Sequence, residues 1–283
     1  MSVRAGDENL SVIYKYRELA DPTPGALNAN TMHLMCEGEM YFSAPAAFND
    51  PFDCRVRLSA TATADELDRY LARQGVPQSQ RDAVVAKVAS GALSLESFVP
   101  SDASGVSAML RVYCLSTLND NTLMWSHYAK DHTGVCVGIK VHFHENSLCL
   151  AVEPDCVSPI HVAANTGLLP ASPVVYDFQM PSPYNLFTGT SDDLQPFMLT
   201  KSKLWEYESE YRIIMLFERI LKRNPVVLAA GQISEVIFGV RTPQKLEAEV
   251  ISALGKCHAG GSGVRYFKAQ LSPSAYKLQI TPY

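Results

Sequence analysis

The most constraining feature of this chain is an alternation of charged and mostly aromatic residues with a period of two over 205–212. In an extended segment, successive side chains point to opposite faces of the sheet. One face then carries four charged residues, which are Glu206, Glu208, Glu210 and Arg212. The other face carries Trp205, Tyr207, Tyr211 and Ile213. Neighbouring carboxylates repel one another, so such a strand requires water, a cation, an arginine or a ligand to compensate their charge.

The acidic face of this predicted strand is the best candidate for chemistry in the chain. We predict that Glu208 and Glu210 line a cleft as catalytic residues, where one stabilises positive charge on a reacting sugar or acts as a base. In the alternative interpretation, they pair with Lys201, Lys203 or Arg212 on a solvated face, as surface charges usually do. The alternation itself is compatible with both.

The composition indicates an ordinary soluble protein. The 283 residues are enough for one large domain or two small ones, and we predict a single domain over 1–283. The chain is 47% hydrophobic and 19% charged, which is typical of globular proteins. A net charge of -5 and a pI of about 5.8 argue against general binding to the phosphate backbone of nucleic acids.

The cysteines and the apolar runs predict a cytoplasmic location. The seven cysteines are odd in number and include no Cys-x-x-Cys pair, which favours reduced thiols in a protein without structural zinc, and we expect no metal. No run approaches the roughly 18 apolar residues of a membrane helix, and 1–9 has no apolar signal core. We therefore expect no membrane partner.

Strand patterns at both ends and helical patterns between them predict an α+β fold, with a mixed, largely antiparallel sheet and helices on one side. Predicted strands are 11–17, 40–43, 112–116, 135–141, 148–152, 174–178, 210–217, 233–240, 264–271 and 277–280. Predicted helices are 65–74, 78–89, 103–110, 122–131 and 243–256. The first three helices form a predicted helical insertion over 60–110. The remainder of 153–197, rich in Pro, Ser and Asn, is predicted to form long loops.

A second candidate site is the aromatic and histidine-rich segment 124–134. On a helix, Trp125, Tyr128 and His132 fall on one face. In one interpretation His127 or Tyr128 contacts a ligand. In the other, Trp125 and Tyr128 pack on the sheet and His127 satisfies a buried hydrogen bond.

Two further candidates are the loop 48–53 and the arginine that ends the first strand. Asn49 and Asp50 can bind a metal or a ligand hydroxyl, or they can hydrogen-bond their own backbone while Phe48 fixes the loop to the core. Arg17 suits bidentate recognition of a phosphate or carboxylate, and it can equally pair with one of the acidic residues.

Together these segments resemble a bacterial family named only as a domain of unknown function, number 2971. The matching segments are 14–17, 42–45, 48–53, 114–116, 124–134, 201–212, 237–240 and 276–278. The resemblance spans nearly the whole chain apart from the stretch 60–110. It implies a bacterial protein found in mobile and defence-like gene neighbourhoods, so phage defence is an expectation.

The chain is also similar, more weakly, to ADP-ribosyltransferases of the arginine-serine-glutamate type. Arg17, the pair Ser116-Thr117 and the pair Glu208/Glu210 occur in the order of that family's motifs. The resemblance implies that NAD is a substrate, that Arg17 holds its diphosphate and that Ser116 and Thr117 position its nicotinamide ribose. Glu210 would stabilise the positive charge that develops on the ribose, and Tyr128 or Phe48 would stack on the nicotinamide.

Three functions follow from these patterns. The first is an intracellular NAD-using enzyme, ADP-ribosyltransferase-like or NAD-glycohydrolase-like, with an unknown macromolecular target. The second is a non-catalytic sensor module that binds a nucleotide or a protein. The third is a metal-dependent phosphodiesterase built on Asp50, Asp53, Glu208 and Glu210. The predicted ligand-binding residues are Arg17, Phe48, Asn49, Asp50, Ser116, Thr117, Trp125, His127, Tyr128 and Arg212.

Overall fold

The computed structural model describes residues 3–21, 26–101, 104–153, 167–216, 226–257 and 263–283. Its strands are β1 (Val12–Arg17), β2 (Glu39–Met40), β3 (Leu58–Ser59), β4 (Leu110–Ser116), β5 (Val135–Lys140), β6 (His142–His144), β7 (Ser147–Ala151), β8 (Leu168–Pro173), β9 (Val175–Asp177), β10 (Tyr184–Asn185), β11 (Thr200–Ser202), β12 (Glu210–Leu216), β13 (Val226–Val227), β14 (Ile233–Phe238), β15 (Arg265–Leu271) and β16 (Leu278–Pro282). Its α-helices are α1 (Ala29–Glu37), α2 (Ala64–Arg73), α3 (Gln78–Ala89), α4 (Ser104–Ala108), α5 (Thr122–Tyr128), α6 (Gln195–Leu199) and α7 (Gln244–Leu254). Short 3-10 helices cover Pro45–Ala47, Leu95–Phe98, Asp192–Leu194 and Lys203–Glu208.

Ten of these strands form one large sheet in the order β16-β15-β14-β5-β1-β4-β12-β8-β7-β6. Within the described ranges, β14 and β15 are parallel and the other neighbouring pairs of this sheet are antiparallel. The predicted α+β fold with a mixed, largely antiparallel sheet is therefore confirmed. The register places Ser116 of β4 opposite both Tyr14 of β1 and Glu210 of β12, which brings distant parts of the chain side by side.

The helices are divided between the two faces of the sheet. Val135, Val137 and Ile139 of β5 share the main core with apolar residues of α1 and α7. Cys136, which points the other way, packs in a second core with Trp125 of α5. The predicted placement on one side thus holds for α7 but not for α5, and α1, which the sequence did not predict, lies on the same face as α7. Helices cover both faces because β5 is apolar on both, and each face must be covered.

The helical insertion has a small core of its own. Thr63 and Glu66 form a capping box that starts α2, and Leu67 and Leu71 of this helix pack with Phe187, which follows β10. The predicted helices α2 and α3 agree with the structure within one residue. The third predicted helix is shorter than expected, because Leu110 already belongs to β4. The assignment of the chain to a single domain stays a prediction.

Two differences from the predicted elements concern one helix and one strand. Helix α5 begins after Asn121, whose side chain caps it, but it ends at Tyr128, before three residues at 130–132 that have positive φ angles. Strand β8 lies in the stretch that its Pro, Ser and Asn content predicts to form loops, and it contains Pro170 and Pro173, a residue type that is rare inside strands. They nevertheless lie opposite Cys149 and Tyr211 in the sheet. Residues 154–166 of the predicted loop region and Phe217 lie outside the described residues.

The expectation of seven reduced thiols is wrong for two cysteines. Cys36, at the end of α1, and Cys257, just after α7, form a disulfide with Cα atoms 5.3 Å apart. These two helices lie on the same face of the sheet, which brings cysteines separated by 221 residues together. Cys54, Cys114, Cys136 and Cys149 are free, and Cys156 lies outside the described residues.

The chain contains no membrane-spanning helix within the ranges that the structure describes, since none is both long enough and apolar enough.

Gly134, which links α5 to β5, is a position where a side chain has no room. A Cβ atom at this position would overlap the carbonyl oxygen of Arg17 on the neighbouring strand. We expect Gly134→Ala to lower the free energy of unfolding by about 2–3 kcal/mol, because backbone rather than a flexible side chain must move. Urea denaturation measures this loss. The matched control is Gly255→Ala, where the nearest atom is 3.5 Å from the new Cβ, and equal losses in both variants would contradict the prediction.

Candidate functional site

A cavity of about 420 Å³ lies where β1, β4 and β12 meet α5 and the loop 43–53. This volume lies within the usual range of small-molecule sites. Eight of the predicted site residues line it, namely Arg17, Phe48, Asn49, Ser116, His127, Tyr128, Glu208 and Glu210. The sheet order explains this convergence, because β1, β4 and β12 are adjacent although nearly 200 residues separate the first from the last.

The segment that carries the acidic residues is not one continuous strand. Lys203–Glu208 is a 3-10 helix that starts after Ser202 and ends at Ser209, whose φ of 44° is left-handed, and β12 begins at Glu210. The prediction that Glu206, Glu208 and Glu210 share one strand face is therefore wrong. Glu206 pairs with Lys203 at the surface at 2.6 Å, whereas Glu208 and Glu210 are buried.

Arg212 is fully buried behind the cavity and holds the carboxylates in place. Its Nε and Nη2 donate to Glu210 at 2.7 and 3.0 Å, and its Nη1 and Nη2 donate to Asp53 at 2.8 and 2.6 Å. A further N–H of Nη1 donates to the carbonyl oxygen of Met198 at 2.8 Å. All five guanidinium N–H donors are thereby used. Arg212, predicted to bind ligand, instead positions Asp53 and Glu210.

Lys201 is the second buried cation and lies among three carboxylates. Its Nζ is 2.5 Å from Glu208, 3.4 Å from Glu210 and 3.6 Å from Asp53. The ammonium group also lies 4.9 Å from the centre of the Trp205 ring, in cation–π geometry. Lys201 thus supplies positive charge at the point where three of the four carboxylates of the phosphodiesterase hypothesis converge.

The two glutamates have different electrostatic environments. Burial alone would raise the pKa of Glu210, but Arg212 and Lys201 together lower it to about 2. Burial raises the pKa of Glu208 above its ordinary value, and the nearby charge of Glu210 adds to this against the opposing effect of Lys201. Glu210 therefore carries a fixed negative charge, while Glu208 is the carboxyl group of the pair that gains and loses a proton more readily.

Glu208 also connects three predicted parts of the site, which are the segment 124–134, the loop 48–53 and the end of β4. The Tyr128 hydroxyl donates to Glu208 Oε1 at 2.6 Å, and Asn49 Nδ2 donates to the Tyr128 hydroxyl at 3.2 Å. The Ser116 hydroxyl donates to the backbone carbonyl of Glu208 at 2.6 Å, which fixes the glutamate backbone against β4. His127 is exposed at the mouth of the cavity, where its ring lies 6.1 to 6.4 Å from Tyr128, Trp205 and Tyr207.

Three other predicted ligand-binding residues lie away from the cavity wall. Trp125 is fully buried in the core and its indole N–H donates to the carbonyl of Asn119 at 2.9 Å. Asp50 accepts the N–H of Phe52 at 2.9 Å and so stabilises its own loop. Thr117 follows the end of β4, and its N–H donates to the carbonyl of Ser209. The 48–53 loop contributes Asp53 to the buried network instead of Asp50.

The sequence analysis missed Lys15, which lines the cavity next to Arg17. Its Nζ donates to the carbonyl of Cys114 at 2.7 Å and lies 4.5 Å from the centre of the Tyr113 ring. Burial, with a smaller effect from the positive charge of Arg17, lowers the pKa of Lys15 to about 8. The sequence contains a signal for this residue. Lys15 lies two residues after Ile13, so the two side chains share one face of β1, and Ile13 is fully buried.

Outside the cavity, one surface group has metal-ligand geometry. His33, Glu37 and Glu39 each offer one ligand atom, and these atoms lie within 4.8 Å of one another. The group is largely exposed, and His33 and Glu39 already contact each other at 3.0 Å.

Comparison with known proteins supports the family resemblance. The model of the family described as Protein of unknown function (DUF2971) matches residues 124–213, which confirms the resemblance over that segment. The matched segment runs from α5 into β12 and contributes Tyr128, Lys201, Glu208 and Glu210 to the cavity. No curated protein and no solved structure matches the chain. The similarity to ADP-ribosyltransferases stays a prediction.

Arg212 should be replaceable neither by a neutral residue nor by lysine. An ammonium group offers three donors instead of five and cannot bind two carboxylates bidentately. Because buried charges would lose their partners, we expect Arg212→Lys to cost about 2–4 kcal/mol of unfolding free energy in urea denaturation. The exposed Arg241 provides the matched control, since Arg241→Lys should change the same quantity by less than about 0.5 kcal/mol. A wild-type urea midpoint for Arg212→Lys would rule out this role.

Lys15 should reduce the stability of the folded state at neutral pH. Its pKa falls from 10.5 to about 8 on folding, so the unfolded chain binds more protons between these values. The cost of the buried charge is fully present below about pH 8 and disappears as the pH rises towards 10.5. We therefore expect Lys15→Met to raise the Tm at pH 7 by ~2 °C, with a smaller gain at pH 10. Lys140→Met, at an exposed position of β5, should give no such gain, and a lower Tm for Lys15→Met at pH 7 would contradict the assignment.

Proposed function

We propose that the protein is an NAD-using enzyme, ADP-ribosyltransferase-like or NAD-glycohydrolase-like, which cleaves the bond between nicotinamide and ribose in this cavity. The observation that carries the proposal is that Arg17, Ser116 and the Glu208/Glu210 pair, read from the sequence in this order, line one cavity. These charged and hydroxyl groups come from three separate parts of the chain. Packing of the apolar core does not by itself require them to share a cavity.

The separation of the two glutamate pKa values supports catalysis. Carboxyl groups whose environments push their pKa values apart commonly divide the roles of acid–base catalyst and electrostatic stabiliser. Glu210, ionised by Arg212 and Lys201, suits stabilisation of the positive charge that develops on the ribose. Glu208, with its raised pKa, suits proton transfer. The proposal therefore gives the two predicted catalytic residues different tasks.

The proposed step balances with water as the nucleophile. A water oxygen bonds to C1′ of the nicotinamide ribose while the C1′–N bond breaks, and the bonding electron pair moves to the nicotinamide ring nitrogen. The proton that water loses goes to Glu208 and then to solvent. The products are nicotinamide, ADP-ribose and a proton. In the transferase version, a nucleophile of a macromolecular target takes the place of water.

Nicotinamide release from NAD, followed by chromatography, tests the enzyme. We expect Glu208→Gln to lower the rate by about 100-fold or more, since it removes the proton acceptor. The matched control is Glu206→Gln on the same 3-10 helix, which alters an exposed carboxylate and should keep the wild-type rate. Tm values show whether each variant is folded. Wild-type release no faster than in buffer, together with no NAD binding by calorimetry, would eliminate the enzyme.

A non-catalytic nucleotide-binding module is the second candidate, and one observation favours it. Both oxygens of the Glu210 carboxylate already accept hydrogen bonds from Arg212, and one of them also accepts from Lys201. A carboxylate so occupied can serve purely to hold the cavity wall. This candidate implies that NAD or ADP-ribose raises the Tm without product formation, and that the shift depends on Arg17 or Tyr128.

A further inference from the structure

The charges around the cavity are unevenly compensated. Among the residues that the structure describes, the buried carboxylates of Asp53, Glu208 and Glu210 are matched by Lys201 and Arg212. Lys15 and Arg17 form no ion pair within the same set of residues. The carboxylate of Glu18 lines the cavity as well, but it is exposed and within 4 Å of neither cation.

These two cations share one face of β1. They are separated by one residue, so their Cα atoms are about 7 Å apart and their side chains point the same way. Among the described residues each cation uses only one donor, because Lys15 Nζ donates to the Cys114 carbonyl and Arg17 Nε donates to Thr31 Oγ1 at 3.4 Å. Two neighbouring positive charges in a partly buried cavity repel each other, and an anion placed between them would remove the repulsion.

A buried aromatic ring also contacts one of the two cations. Tyr113 is 2% exposed. The ring carries the Lys15 ammonium group on its face, and the charge of Arg17 is near enough to oppose the effect of burial on the Tyr113 pKa. The Tyr113 ring therefore holds the Lys15 ammonium group in place by a cation–π contact.

The chemistry of the two cations fits a phosphate. A phosphate monoester carries nearly two negative charges at neutral pH and has three strong acceptor oxygens, and a guanidinium and an ammonium group together match both properties. A carboxylate would compensate only one of the two cations. The cavity then has a cationic end at Lys15 and Arg17 and a hydroxyl-binding end at Glu208 and Tyr128.

We propose that Lys15 and Arg17 form a phosphate subsite and that the cavity takes ligands containing a ribose 5-phosphate unit, as in mononucleotides. The inference rests on the proposed function for the sugar and for the role of Arg17, and it adds Lys15 as the second cation of the phosphate subsite. Lys15 is then the residue that makes phosphate binding sensitive to pH. The charged and titratable groups facing it are Arg17, Tyr113, Cys114, Glu208 and Glu210. Burial holds the pKa of the Cys114 thiol well above its ordinary value, so this group stays neutral.

Calorimetry with ribose 5-phosphate and with ribose tests the subsite on the full chain. We expect ribose 5-phosphate to bind at least 10-fold more tightly than ribose at pH 7. Lys15→Met and Arg17→Met should each weaken ribose 5-phosphate binding at least 10-fold, and Lys140→Met, on the neighbouring strand, should leave it unchanged. Equal binding of the two sugars, no binding of the phosphate, or wild-type affinity in Lys15→Met would overturn the proposal.

A pH series separates a specific role of Lys15 from a structural one. The phosphate is a dianion at both pH 7 and pH 9, because its second pKa is about 6. Affinity should therefore fall at pH 9, where Lys15 loses its proton. Lys15→Arg should retain the affinity and lose the alkaline decline, since arginine stays protonated. An identical decline in Lys15→Arg would contradict the role of Lys15.

Two assays on the same proteins distinguish this inference from the enzyme, because nicotinamide release reports on the reaction and calorimetry with ribose 5-phosphate reports on the subsite. If the wild type releases no nicotinamide but binds ribose 5-phosphate through Lys15, the enzyme fails and the subsite stands. If the wild type releases nicotinamide and Lys15→Met binds ribose 5-phosphate as the wild type does, the subsite fails and the enzyme stands.

Discussion

Arg212 bonds bidentately to Asp53 and Glu210, and the geometry of the cavity depends on this contact. The guanidinium group joins β12 to the 48–53 loop, because Glu210 belongs to β12 and Asp53 belongs to the loop. Burying three charges together is tolerated only when every donor and acceptor has a partner, and Arg212 satisfies this condition with all five of its N–H groups. With these two carboxylates fixed, Lys201 and Glu208 have defined positions in front of them.

The arrangement produces two electrostatic regions in one small volume. Around Lys201, three carboxylates and two cations nearly balance, and this balance separates the pKa values of Glu208 and Glu210. On β1, Lys15 and Arg17 have no carboxylate partner in the described chain, and the folded protein bears the cost of burying Lys15. Charges that reduce stability are common at binding sites, because the missing partner is supplied by the ligand.

Most of the fold was predictable because its signals are local. The helical apolar spacing of α2, α3 and α7 predicted their limits within one or two residues. The β-branched and aromatic residues of β1 and the apolar run of β5 identified these strands. Predictions failed where a contact outside the segment decides the conformation. The prolines of β8 are accommodated by its partners β7 and β12, and the left-handed Ser209 ends a 3-10 helix in what the sequence presents as one strand. Similarly, the cysteine spacing held no information on the contact between α1 and α7 that brings Cys36 to Cys257.

The sequence by itself determined which residues are candidates for the site, because residue type and local pattern mark them as chemically unusual. They are an arginine at the end of β1, a serine at the end of β4, the paired glutamates and the tyrosine of α5. Only the tertiary structure decided which of them face the cavity. In the structure Arg212 is buried behind the cavity, Trp125 lies in the core and Lys15 lines the cavity. Burial and charge compensation decide these positions, and both depend on the neighbours that the sheet order brings together. Those neighbours are up to 200 residues distant, and no short-range pattern in a single chain encodes them.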